Sequence, residues 1–199
     1  VSQEENIMDT VLAISTALSL ATAAGLNAYI PLLVVGLLAR YTSLISLSGP
    51  YEVLTNPWVL LVIAVLLLID MVGDKIPAVD NFFHAAGVII HPVAGALLGL
   101  ASSNAIGGID PTLAAVAGLL VALGTHGARA TARPVVTATT AGVGNPVVSI
   151  AEDATSLTLS VLAIAVPFIA AGLIIVLTIA GFLGLRRLFR RRPTDNGTH

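Results

Sequence analysis

The chain has 199 residues, of which 56% are apolar and 10% charged, with no cysteine, a formal net charge of −2 and a mean hydropathy of +0.97. A soluble domain carries about a quarter charged residues, so these figures exclude a disordered chain, a disulfide scaffold, a thiolate zinc domain and a water-soluble globule. The composition predicts an integral membrane protein.

A hydrocarbon core of roughly 30 Å takes about 20 apolar residues as helix, and six segments meet that need, near 10–40, 57–73, 82–103, 111–127, 146–165 and 167–186. The expected fold class is all-α, a polytopic transmembrane helical bundle with broken or kinked helices. Residues 1–9 form a short cytoplasmic N-terminus, 10–186 the transmembrane domain, and 187–199 a basic, disordered cytoplasmic tail. Val1–Asp9 is acidic and the apolar run after it is too long for a cleavable signal, so the first segment is expected to remain.

That first segment contains Gly25-Leu26-Asn27-Ala28-Tyr29-Ile30-Pro31. Gly loosens the backbone, Asn27 offers it a hydrogen-bonding side chain, and Pro31 withdraws an N–H, which predicts a kink or a break. The stretch Ser43–Asn56, rich in Ser, Pro and Gly, reads as an external loop. His91-Pro92 interrupts the third segment. Only Val166-Pro167 separates the last two, which fits either a tight hairpin or a re-entrant piece followed by one long helix. Gly, Ala, Ser and Thr recur throughout, as in Ala21 to Gly25, Gly95-Ala96, Gly99 and Ala114 to Gly118, and such residues let helix backbones approach closely in lipid.

Six crossings place both termini and the loops after the second and fourth segments on one side. Lys75, Arg129, Arg133 and the terminal Arg186, Arg187, Arg190, Arg191 and Arg192 then share that side, and of nine basic residues only Arg40 falls opposite. The positive-inside bias makes that side cytoplasmic, with both termini in. A basic cluster directly after an apolar helix reads as a topology anchor beside anionic headgroups, and no nucleic-acid partner is expected.

Ionisable residues within membrane helices are costly, and each is a functional candidate unless it reaches the interface. Asp70 and Asp74 stand four residues apart on one helix face, beside Lys75 and Asp80, where two carboxylates are able to share a cation or a proton. The structural alternative is a helix-end pair of Asp74 and Lys75, with Asp80 as a cap. Glu152 and Asp153 lie one and a half turns into a helix opened by Asn145-Pro146. Adjacent positions diverge by about 100°, so one of the two is expected to face the bundle centre, and Glu152 is the choice. His126, Arg129 and Arg133 share a face able to seat an anion or to pair with these carboxylates, or else they form an interfacial stripe. His84 and His91 lie two turns apart. With His126 they fit a metal or haem weakly, and a hydrogen-bonded histidine beside a proline is the plainer reading. No cofactor is expected.

Helix breakers near the membrane middle, at Asn27 and at His91-Pro92, accompany discontinuous helices that expose backbone groups to an ion. Together with carboxylates on two helices they point to a hard cation or a proton. Asp70, Asp74, Glu152, His84 and His91 are the candidate metal ligands. Asn27, Asp70, Asp74, Glu152 and Asp153 form the candidate ion site, and Lys75, His126, Arg129 and Arg133 are its anion-binding or charge-pairing residues.

The segments Gly25 to Leu33, Asp74 to Asp80, His91-Pro92-Val93-Ala94-Gly95-Ala96 and Glu152-Asp153 give the chain a resemblance to the bacterial membrane family called domain of unknown function 4126, over about residues 10–190. That resemblance implies a small polytopic inner-membrane protein and carries over no catalytic residue. Asp70-Met71-Val72-Gly73-Asp74-Lys75-Ile76 is also similar to the Glu-x-Gly-Asp-Lys-Ser/Thr signature of calcium and manganese exchangers that return protons. Here the leading acid is one residue too distant and Ile76 replaces the hydroxyl residue. Ala151-Glu152-Asp153-Ala154-Thr155, the nearest second copy, lacks the Gly and Lys, and a weak inverted repeat is the most that the comparison of His84 to Gly87 with His126 to Arg129 suggests.

No serine elbow, His-Glu-x-x-His helix, phosphate loop or dinucleotide turn is present, so an enzyme is not expected. The expected function is a small transporter or channel for a cation or proton-coupled cation, homo-oligomeric and in contact with the bilayer. The alternatives are an accessory subunit of a larger membrane complex, or a lipid-phosphate transporter using His126, Arg129 and Arg133.

Overall fold

The computed structural model describes residues 3–73 and 77–190, and for 3, 5, 6, 77–85, 182, 184, 185 and 187–190 it describes the backbone course only. Asp74, Lys75 and the segment 191–199 lie outside the described residues, as do the side chains of Asp80 and His84.

Seven α-helices follow in order among the described residues: α1 Gln3–Leu26, α2 Tyr29–Tyr41, α3 Pro57–Gly73, α4 Pro77–Ile106, α5 Pro111–Thr140, α6 Asn145–Ala165 and α7 Pro167–Arg190, with a 3-10 helix at Gly49–Thr55 before α3. Helices α3, α4, α5 and α7 each begin on a proline, whose fixed φ suits a first turn and whose missing N–H would have had no partner there. Asp110 caps α5 by accepting from the Leu113 N–H at 3.0 Å. At the other end of α5, Ala141 turns left-handed at φ 51° and the Gly142 N–H returns to the Thr137 carbonyl at 3.1 Å, closing a Schellman turn.

Ile7–Leu26, Ala86–Ile106, Pro111–Thr140 and Asn145–Ala165 are long and apolar enough to cross a membrane, and the 3-10 helix with α3, bent by 60°, makes a fifth candidate. Helix α2 and the apolar stretch Pro167–Gly181 are shorter. Ile89, Val93, Leu113, Leu120, Ile175 and Val176 are exposed on the outer faces, as contact with lipid requires. The expected interruption at His91-Pro92 does not end α4, which runs unbroken through Pro92. Val166 alone separates α6 from α7, and α7 packs on both α6 and α1.

Helix α1 lies at the centre, against α4, α5, α6 and α7. Its buried face is built from small residues, Ala13, Ala17, Ala21, Ala23 and Ala24, with Leu20 as the one large filler. Two hydroxyls tie it to α6: Thr16 Oγ1 donates to the Ala163 carbonyl at 3.1 Å, and Ser156 Oγ to the Ala23 carbonyl at 3.0 Å. Helices α4 and α5 pack antiparallel so closely that a Cβ on Gly95 would meet the Gly118 carbonyl, and one on Gly118 the Gly95 carbonyl.

Two hydrogen bonds identify one end of the bundle. Thr10 Oγ1 donates to the Gly108 carbonyl at 3.1 Å, and the Ser48 N–H to Asn104 Oδ1 at 2.9 Å, so the first turns of α1, the segment 43–56 and the α4–α5 turn lie together. The break after Leu26, the C-terminal turn of α3 and the start of α6 lie at the opposite end, joined by the contacts of the site below. Helices α1 and α2 therefore form a hairpin, and α2 leads back toward the end where α1 began. The first turns of α1 and the segment 43–56, expected on opposite sides, thus lie at one end of the bundle. Helix α1 alone already supplies a 20-residue span, so the chain turns at Asn27 and does not continue through it.

Candidate functional site

The break between α1 and α2 is held by one side chain. Asn27, 2% exposed, keeps its own N–H on the Ala23 carbonyl at 2.9 Å and thus finishes α1. Its Oδ1 accepts from the N–H groups of Tyr29 and Ile30, at 3.0 and 3.2 Å, and so satisfies the first turn of α2. With the oxygen fixed by two backbone donors, the amide nitrogen has one direction left. It donates to Asp153 Oδ1 on α6 at 2.9 Å and, at 3.4 Å, to Asp70 Oδ2 on α3. Two carboxylates from distant parts of the chain are thus gathered on one neutral amide at a helix break.

Beside this pair stands an ionic cluster between α5 and α6. Glu152 Oε2 lies 2.7 Å from Arg129 Nε as an ion pair and accepts from an Arg133 terminal nitrogen at 2.8 Å, and the three side chains are only 10–13% exposed. The same Arg133 nitrogen reaches Ser149 Oγ at 3.5 Å. A terminal nitrogen of Arg129 donates to the Leu26 carbonyl at 2.6 Å, so a cation caps the C-terminal end of α1, where the helix dipole favours one. Breaking such a screened pair leaves a charge in a low-dielectric setting, which costs about 3–5 kcal/mol. The arginines are therefore engaged in holding the hairpin tip and α6 together.

Glu152 and Asp153 both find partners, although at most one of the two was expected to face the bundle centre squarely. Their divergence sends Glu152 toward α5 and Asp153 toward the α1–α2 break, and partners wait in both directions. Of the expected residues the structure brings together Asn27, Asp70, Asp153, Glu152, Arg129 and Arg133. His126 is buried one turn before Arg129, but its ring lies against His91 with centroids 4.2 Å apart, and His91 Nδ1 is 2.9 Å from the Gly87 carbonyl. Gly87 makes room for these rings, since a Cβ there would stand 3.0 Å from the His126 Cε1. Asp74, Lys75 and the His84 side chain lie outside the described residues. Among the described residues, no three His, Asp or Glu side chains gather to hold a metal ion. Asp70 shares the Asn27 amide with Asp153 and not with Glu152, which pairs with the arginines.

Sequence reasoning missed Ser156, whose Oγ, buried one turn beyond Glu152, also reaches the Asn27 carbonyl at 3.4 Å. Its position four residues after Glu152 on an apolar helix was the available signal. The backbone groups of Leu26, Tyr29 and Ile30 have no residue-type signature at all.

Among known proteins, the family model described as Domain of unknown function (DUF4126) matches residues 14–187 of the chain. No curated protein and no solved structure matches.

Proposed function

The chain belongs to the DUF4126 family, whose description assigns no activity, and from that premise we propose a function on the site alone: a small transporter or channel for a cation or proton-coupled cation, in which Asp70 and Asp153 are the exchanging groups. The observation that carries this reading is the Asn27 amide, which holds the two carboxylates at the broken hairpin. Two carboxylates held at one amide can take either a proton or a cation, and in this reading an arriving cation displaces a proton bound there, so that the two are exchanged. Glu152 serves a different role in this reading, as the fixed counter-ion of Arg129 and Arg133. Three carboxylates face two guanidiniums among the described residues, which favours a cationic over an anionic passenger. The arginine-rich end of α5 faces the cytoplasm under the positive-inside bias.

The test is flux in proteoliposomes, with sodium, calcium, manganese and protons followed separately. Asp70→Asn together with Asp153→Asn is expected to abolish flux of the transported ion, with the folded state retained because Asn27 still has oxygen acceptors on both sides. Unchanged flux of every ion in that double variant, against a measurable wild-type signal, overturns the reading. Absence of flux in the wild type for all four ions overturns it as well.

A further inference from the structure

The end of the bundle opposite the carboxylates carries a cavity of about 480 Å³, lined by Ala39, Arg40, Tyr41, Leu47, Glu52 and Thr55 among others. Its size lies within the range of ordinary small-ligand sites. Two opposite charges line it without joining: Arg40 donates to the Thr55 carbonyl at 2.8 Å and lies 5.5 Å from the Tyr41 ring centroid, whereas the Glu52 carboxylate makes no hydrogen bond or ion pair among the described residues. A guanidinium has five N–H donors, so the bond to Thr55 positions Arg40 without exhausting it. Leu47, 7% exposed, and the Leu54 carbonyl pressed on Gly36 show that the 43–56 segment is folded onto α2, so the cavity has a packed wall.

The surroundings are those of a membrane surface. Tyr41 and Trp58 are 72% and 74% exposed at this end, and aromatic residues with one wet and one apolar side concentrate at the headgroup level. We propose that this cavity binds the headgroup of a zwitterionic phospholipid that carries a primary amine, with Arg40 on the phosphate and Glu52 on the ammonium. A phosphate oxygen accepts well from guanidinium N–H groups, and a primary ammonium donates to a carboxylate. A trimethylammonium has no N–H to donate. A glycerol headgroup leaves Glu52 without a cation and brings a net negative charge toward it. The ethanolamine class is therefore the best match to both charges that line the cavity.

The experiment is native mass spectrometry of the full chain in detergent with equimolar phosphatidylethanolamine, phosphatidylcholine and phosphatidylglycerol of identical acyl chains. The expected result is retention of the ethanolamine lipid several-fold above the other two. Glu52→Gln is expected to remove its advantage over the choline lipid, and Arg40→Ala to lower retention of both. Equal retention of the three lipids by the wild type overturns the proposal whether or not either variant folds. So does an unchanged preference in a Glu52→Gln protein whose thermal unfolding matches the wild type. Soluble phosphoethanolamine separates the two sources of the same chemistry: it is expected to displace the bound lipid only weakly, and displacement at equal concentration would assign the cavity to a soluble metabolite and overturn the lipid reading.

Discussion

At the residue scale, Asn27 performs two tasks that no other side chain combines at this size. Its oxygen accepts from the N–H groups that open α2, and its nitrogen donates to the carboxylates of Asp70 and Asp153. Asn27→Ala removes both sets of bonds and leaves buried backbone donors and carboxylates short of partners, a loss of about 3 kcal/mol or more. Asn27→Asp keeps the acceptor but sets a third carboxylate beside two others, and it is expected to unfold at a lower temperature than Asn27→Ala. Thermal unfolding of the two variants in detergent, with the wild type alongside, checks the order. The sequence made Asn27, Asp70 and Arg129 visible as polar residues in apolar surroundings, which is a matter of cost and needs no coordinates. It named Asp153 among the ion-site candidates but preferred Glu152 as the inward-facing member of the pair, because it assumed one centre for the bundle. Helix α6 has α5 on one side and the α1–α2 break on another, so residues 100° apart on it each find a buried partner.

At the scale of elements, the motif from Gly25 to Pro31 announces a break but not the angle of the break. Continuing, kinking and turning back all interrupt the same hydrogen bonds, and what selects among them is tertiary: the Leu26 carbonyl finds Arg129 on α5, and α2 finds α3 and α6. Proline tells a similar story. Pro57, Pro77, Pro111 and Pro167 begin helices, as local chemistry predicts, whereas Pro92 sits inside α4, which runs on through it. The α4–α5 pair is an element contact sensitive to a single change. Gly95→Leu pushes a side chain into the Gly118 backbone, which cannot swing aside as a side chain can. The expected cost is about 2–3 kcal/mol, read as a lowered unfolding temperature, while Gly124→Leu, at a position where a Cβ meets nothing, is expected to leave it unchanged.

For the whole molecule, the hairpin changes which ends of the chain share a side. The absence of cysteine makes this directly measurable, since any introduced thiol is the sole target of a membrane-impermeant maleimide. Cysteines at Glu4 and Ser43 are expected to react from one face of the membrane and a cysteine at Val143 from the other. Labelling of Glu4 and Ser43 from opposite faces would restore a single kinked span over 10–40. The central place of α1 also bears on how the protein is made. Thr16 and Ser19 of α1, and Asn27 just after it, are buried in a bundle completed by helices that follow later in the chain, and Thr16 and Asn27 bond to α6. At ribosomal speeds of 5–20 residues per second, the stretch from Leu26 to Asn145 takes on the order of ten seconds to emerge. For that interval the polar face of the first helix stands in the translocon or in lipid without its final partners, so α1 is the segment for which assistance during insertion matters most.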